Sequence, residues 1–217
     1  MAFLSTPLVP KFRSLCEELS YLIEKEGWVV RPYSHPGMNF FKKLTSSERL
    51  WTTNRLSDYL EICRQTHKSG NQIKDARLLV RQGLQHFGFS CDVQVEDYIQ
   101  PEYVVEFYGL DHRQIFRTFN FFEYTSYTVE DIYCQHWFDL YKREEAVTQF
   151  LIDSVQPLLA GKMKEPLYYK CPEHIIEERR SLEKLRFWAK EHCLAPLNQG
   201  DVLRGYLTIL QVRPVET

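Results

Sequence analysis

Residues 119–141 read FNFFEYTSYTVEDIYCQHWFDLY, and no single long element suits them. Rings crowd the stretch, yet small polar residues and carboxylates interrupt it every few positions. A half-buried strand would alternate apolar and polar side chains, and an amphipathic helix would repeat them at 3.6-residue spacing. Successive short helices fit better. Asn120 with Glu123, and Thr128 with Asp131, have the spacing of an N-cap and the third helical residue that reaches back to it. The rings of Phe119, Phe121, Phe122, Tyr124, Tyr127, Trp137 and Phe138 then need a surface to cover.

The flanking sequence says what that surface is. Before residue 90 the periodicity is helical. Phe12, Leu15, Cys16, Leu19, Leu22 and Ile23 line one face of a helix over 9–27, with Gly27 as its stop. RPYSHPGMNFF follows as a loop. A second helix starts at Ser46 or Ser47, either of which can cap it, and carries Leu56, Tyr59, Leu60 and Cys63 on one side. HKSGNQ ends it. A third runs over 73–87 with Ile73, Ala76, Val80, Leu84 and Phe87 in a row and Gly88 as terminator. These stripes need a partner to cover them.

Beyond Phe89 the chain becomes rich in β-branched and aromatic residues. Strands are expected at 103–108 and 113–118, joined by a turn at Gly109-Leu110-Asp111-His112. A longer helix over 143–160 carries Val147, Phe150, Leu151, Ser154, Val155 and Leu158 on one face. Gly161 ends it, and Pro157 should kink it or end its regular part early. Three more strands are expected at 165–171, 185–197 and 202–212, with Asn198-Gln199-Gly200-Asp201 as a hairpin turn. Residues 173–183 are polar and read as a loop or a short helix. Two strands, a helical middle and three strands make an α+β domain with a largely antiparallel sheet. The chain divides into an N-terminal helical region, 1–90, and a second domain, 91–217.

Bulk properties exclude several classes of function. Net charge is −2 with no basic stripe, so no field draws in nucleic acid or anionic lipid. No stretch approaches the ~18 apolar residues of a membrane span, and the N-terminus lacks the form of a secretory signal. The six cysteines are scattered without a C-x-x-C pair, which fits free thiols in a reducing, cytoplasmic setting and not a zinc site. The nearest metal-like pattern is Cys171-Pro172-Glu173-His174 with His192-Cys193, and Cys171-Pro172 also has the form of a haem-regulatory dipeptide. No G-x-S-x-G, H-E-x-x-H or Gly-rich phosphate loop is present. His112, His136, His174 and His192 read as surface or capping residues.

The order of elements, and the details of the opening stretch, resemble a PAS domain. Asn120-Phe121-Phe122-Glu123, then Thr125-Ser126-Tyr127-Thr128, then the acids Glu130-Asp131 follow the family's run. Cys134-Gln135-His136-Trp137 stand at its turn. Arg143-Glu144-Glu145-Ala146-Val147 and Ala160-Gly161 are similar to the two ends of its long helix, and LAPL and VLRGYLTIL to its last two strands. The resemblance spans roughly 101–213. Ser126 and Cys134 stand where the family usually has glycine.

The resemblance implies a five-stranded antiparallel sheet with helices on one face, and a pocket between sheet and helices. It implies a sensory or regulatory module that acts through a protein partner or through self-association of the N-terminal helices, with a small ligand in the pocket. The alternative is an assembly protein whose aromatics fill the pocket themselves, which is the plainer reading of the rings. The pocket candidates are Phe119, Phe122, Tyr124, Tyr127, Trp137, Phe138 and Phe150. No cofactor is specified. Trp137 stands at the reactive-cysteine position of the family's flavin photosensors, and 143–161 contains no histidine for its haem mode.

Overall fold

The computed structural model describes residues 7–28, 36–70, 72–169, 171–179, 181 and 184–215. Sequence readings at 1–6, 29–35, 71, 170, 180 and 182–183 lie outside them. These include the N-terminus, much of the first loop and part of the polar 173–183 segment.

The N-terminal helices form from local rules. Helix α1, Leu8–Lys25, buries Phe12, Leu15, Cys16, Leu19 and Ile23, and Gly27 follows it with a left-handed φ of 84°. Helix α2, Ser46–Lys68, is capped by Thr45 and not by either serine. Thr45 Oγ1 accepts from the Glu48 N–H at 3.3 Å, and the Glu48 carboxylate accepts from the Thr45 N–H at 2.7 Å. Helix α3, Ala76–Phe87, begins three residues later than its apolar stripe suggests. Asp75 takes the cap by accepting from the Leu78 N–H, while Ile73 is buried just ahead of the helix. A further short helix, α4 (Val93–Tyr98), stands where the composition reads as strand-like. Asp92 caps it by accepting from the Gln94 N–H at 2.8 Å.

The remaining elements are strands β1 (Val104–Gly109) and β2 (Gln114–Arg117), a 3-10 turn at Phe119–Glu123, and helices α5 (Val129–Cys134) and α6 (Trp137–Leu140). Then come β3 (Tyr141–Lys142), α7 (Glu145–Leu159), β4 (Leu167–Tyr168), β5 (His174–Glu178), β6 (Arg186–Gln199) and β7 (Val202–Pro214). Among the described residues the sheet has seven strands, not five. All its pairs are antiparallel, in the order β2-β1-β7-β6-β5-β3, with β4 on β6. The architecture is α+β. The extra strands β3 and β4 are two residues long. The first part of the segment expected as a loop or short helix forms β5, His174–Glu178, whose inward side chains are His174, Ile176 and Glu178. Its polarity hid it, because Glu178 is buried among hydrogen-bond donors and does not need solvent. Helix α7 contains Pro157 and ends two residues beyond it.

Helices cover both faces of the sheet and not one. Phe107 pairs with Phe116 and with Leu207, so the three share a face. Phe116 packs edge-on to Tyr59 of α2, and the ring lies against Gly83 of α3. A Cβ at Gly83 would sit 3.0 Å from Phe116, so α3 approaches the sheet as closely as it does only with glycine there. One hydrophobic core runs from Phe12 and Leu56 through Phe116 to Ile209 without a break at residue 90. The apolar stripes of α1–α3 are therefore covered within the chain. Tyr108 and Tyr206, one residue out of step, face the other way. There they meet Val147, Leu151, Val155 and Leu158 of α7 in a second, smaller core.

Candidate functional site

The second face encloses a small cavity of about 40 Å³ between the sheet and α7. Strands β1, β6 and β7 supply its floor with Glu106, Tyr108, Glu191, Tyr206 and Thr208. Trp137, Tyr141 and Arg143 form one wall, and Leu151 and Val155 of α7 form the roof. A water occupies roughly 10–15 Å³ on this measure, so about three waters or a ligand of a few heavy atoms fit.

The charges at this floor are unusual for buried strands. Arg117 and Glu106 form an ion pair out of contact with solvent, and the Tyr108 hydroxyl donates to the second Glu106 oxygen at 2.9 Å. The Arg117 guanidinium carbon also lies over the Phe121 ring, 3.5 Å from its centroid. Arg143 stacks over Trp137 at 5.2 Å and Tyr141 at 5.8 Å, and its buried Nε finds no acceptor. Glu191 is only 6% exposed. Burial pushes its carboxyl up to about 7; Arg143 opposes that shift and Glu106 adds to it. The Glu191 side chain forms no hydrogen bond or ion pair among the described residues. At the turn end, the Tyr206 hydroxyl meets His112 Nδ1 at 2.7 Å, and burial lowers the His112 pKa.

A β-bulge aims Glu191 into this space. Glu191 pairs with Leu210 and Cys193 with Ile209, which leaves His192 as the extra residue. Glu191 and Leu194 consequently face the same side although they are three apart.

The sequence candidates divide between three places. Trp137 lines the cavity. Phe119, Phe122, Tyr124 and Tyr127 belong to the larger core and do not line it; the Tyr127 hydroxyl donates to the Leu140 carbonyl and accepts from the Arg179 N–H. Phe138 and Phe150 are 37% and 42% exposed, so neither is a pocket residue. Phe138 stacks on His136, and Phe150 lies at the edge of the α7 stripe beside Tyr169.

The caps also divide. Thr128 and Asp131 form a full capping box on α5. Asn120 and Glu123 do not. The Asn120 side chain accepts from Thr118 Oγ1 and donates to the Tyr103 carbonyl, while Glu123 accepts from the Trp28 indole N–H. The 3-10 turn begins after Thr118, too early for Asn120 to cap it.

Glu106, Tyr108, Arg117, Tyr141, Arg143, Glu191 and Tyr206 were not among the sequence candidates. A signal was present for three of them. Glu106 in VVEFY, Arg117 in IFRTF and Glu191 in FWAKEHCLA interrupt strands that are otherwise apolar, and a charge there is either exposed at an edge or held by a partner.

The Cys171 and His174 pair resembles a nucleophile and base only in composition. Sγ and Nδ1 are 4.0 Å apart, and burial both raises the thiol pKa and lowers that of the imidazole. Both groups are thus held neutral, the reverse of an activated thiolate. The sequence matches no known family model, and no curated protein is similar to it. No described helix is long and apolar enough to cross a membrane.

Proposed function

We propose that this chain is a non-catalytic, PAS-like regulatory module that acts through a protein partner or through self-association, with a small ligand bound between sheet and α7. The observation that carries the reading is the cavity itself. It lies between the sheet and α7, within the helical stretch that follows β2, where a PAS-like domain keeps its pocket. Its walls hold Arg143 Nε, buried without an acceptor, and the Glu191 carboxyl, whose pKa burial raises. Such groups are costly to bury unless something in the cavity satisfies them. The pairing of β1 with both β2 and β7 supports the same reading.

Ligand binding would shift the packing of α7 against the sheet, and the shift would reach the partner surface as a change in population between two arrangements. Because α1–α3 bury their stripes against their own sheet, the contact surface for a partner is their outer, charged side. A cytoplasmic setting belongs to this reading and is supported by six free thiols. The second reading, an assembly protein with a self-filled core, draws on one observation: a space of about 40 Å³ admits no flavin or haem.

Native mass spectrometry of the purified chain, with light scattering over a concentration series, tests the proposal. A bound small molecule, or a defined oligomer whose stability changes on ligand addition, is the expected result. An apo mass together with a monomer that recruits no partner would overturn it.

A further inference from the structure

The charge balance of the cavity specifies a class of ligand. Glu106 and Arg117 neutralise each other as an ion pair, and Tyr108 donates to Glu106; Arg117 Nε and Nη1 have no acceptor, but Arg117 does not line the cavity. Among the described residues that wall the cavity, Arg143 is the cation left without an ion pair, and its Nε–H has no acceptor. Glu191 is the remaining titratable carboxyl. It is buried, it lines the same space, and it lacks any hydrogen-bond partner. With Glu191 protonated, the cavity has one net positive charge, one N–H donor and one O–H donor, both unsatisfied. A single negative charge with two acceptor oxygens answers all three.

We infer that the cavity binds a small monocarboxylate, with one oxygen accepting from Arg143 Nε–H and the other accepting a hydrogen bond from the Glu191 O–H. The inference rests on the reading of this face as a ligand pocket. Size narrows the class: about 40 Å³ holds three or four heavy atoms, which is formate or acetate, with any methyl group against the apolar roof of Leu151 and Val155. A dianion such as sulfate brings two charges to one cation and a bulkier tetrahedral shape. An organic ammonium would meet the guanidinium of Arg143 and a carboxyl that burial shifts toward its neutral form.

The other titratable groups around Glu191 do not change the sign. Glu106 on β1 is paired, and Tyr169, Cys171 and Tyr206 have their pKa values raised by burial, so they stay neutral through the physiological range. Binding of the anion therefore draws Glu191 toward its protonated form, and one proton is taken up wherever free Glu191 is ionised. That proton comes from solvent, and the Glu191 O–H is the one covalent bond formed.

The test titrates the full chain with sodium formate and sodium acetate to millimolar concentration at pH 6 and pH 8. Chemical shifts of the Trp137 indole and the Arg143 Nε–H are followed, with sodium chloride and methylammonium chloride as controls. The expected result is saturable binding about tenfold tighter at pH 6 than at pH 8, since Glu191 titrates near 7. In Glu191→Gln, whose amide donates at every pH, the ratio between the two pH values should fall to about one. Arg143→Met should abolish saturation while a melting curve reports whether it is folded, and the wild-type pH ratio decides the matter if that variant does not fold. Absence of saturation at pH 6, shifts reproduced by chloride alone, or tighter binding of methylammonium would each overturn the inference. Loss of carboxylate binding beside intact partner recruitment sinks only this inference. Carboxylate binding without any partner or oligomer sinks the regulatory reading instead.

Discussion

The two faces of the sheet are made of adjacent residues on the same strands, yet they are packed by different rules. On the face under α2 and α3, Phe107, Phe116, Leu207 and Ile209 meet Tyr59 and Gly83 with almost no exposure. That face is apolar, closely fitted and joined to the cores of three helices. On the face under α7, one residue along, the same strands present Glu106, Tyr108, Glu191, Tyr206 and Thr208 to a gap. The first face holds the chain together. The second gives up part of that packing to charged and polar side chains around a small gap.

The strongest way to break this comparison is to remove one side of it. A chain comprising 91–217 would expose Phe107, Phe116, Phe119, Leu207 and Ile209, all buried in the full chain. It should fail to fold cooperatively, bind a hydrophobic dye and lose dispersion in its NMR spectrum. A truncated chain with a sharp melting transition would show that the two faces are independent after all.

Next in size is Arg117→Met, which leaves Glu106 buried and unpaired. The expected loss is about 3–5 kcal/mol in urea denaturation. Pairing it with Glu106→Leu should recover most of the loss. If the single and double variants are equally destabilised, the ion pair is not what disciplines this face.

A smaller, pH-dependent effect distinguishes Glu191. Its folded pKa of about 7 lies above its ordinary 4.5. Between those values the folded chain holds a proton that the unfolded chain releases, so stability is fully present below 4.5 and falls as pH rises through 7. The cumulative loss is about 3 kcal/mol. Glu191→Gln removes the titration. Its melting temperature should change less than that of the native chain between pH 5 and pH 8 and should exceed it at pH 8. Parallel melting curves against pH would refute the assignment.

The smallest effect is expected at Phe150, on the outer edge of α7. Phe150→Ser should shift stability by no more than about 0.5 kcal/mol, in contrast to the several kcal/mol of a buried phenylalanine. A large loss there would mean that α7 makes a contact this fold does not supply.

Several features were legible because they depend on neighbours in sequence. The stripe of α1 shows in its 3.6-residue spacing. The Thr128–Asp131 capping box needs only three residues. The turn at Gly109–His112 and the hairpin ending at Gly200, with its φ of 59°, follow from turn chemistry. Where the reading failed, a distant contact had taken over. Asn120 looks like a cap, but its amide is engaged by Thr118 and Tyr103. Strand β5 looks like a solvated loop, but Glu178 turns inward to accept from Thr125, Ser126 and Ser181 hydroxyls and from the Ser126 N–H. Phe138 and Phe150 look like pocket rings by type, whereas exposure depends on where a helix lies on the sheet.

The amino-acid order by itself determined the kind of elements and, within a few residues, most of their ends. Caps, glycine stops and hydrophobic periods act over three to seven positions and need no tertiary partner to be read. Tertiary structure alone decided the use of the two faces. The bulge at His192 sets the direction of Glu191, the ladder of β1 on β7 places Tyr108 beside Tyr206, and α7 closes over both. The bulge depends on residues about twenty positions apart and the other two on residues about forty to one hundred apart, and a one-residue change in register would exchange the polar face with the apolar one.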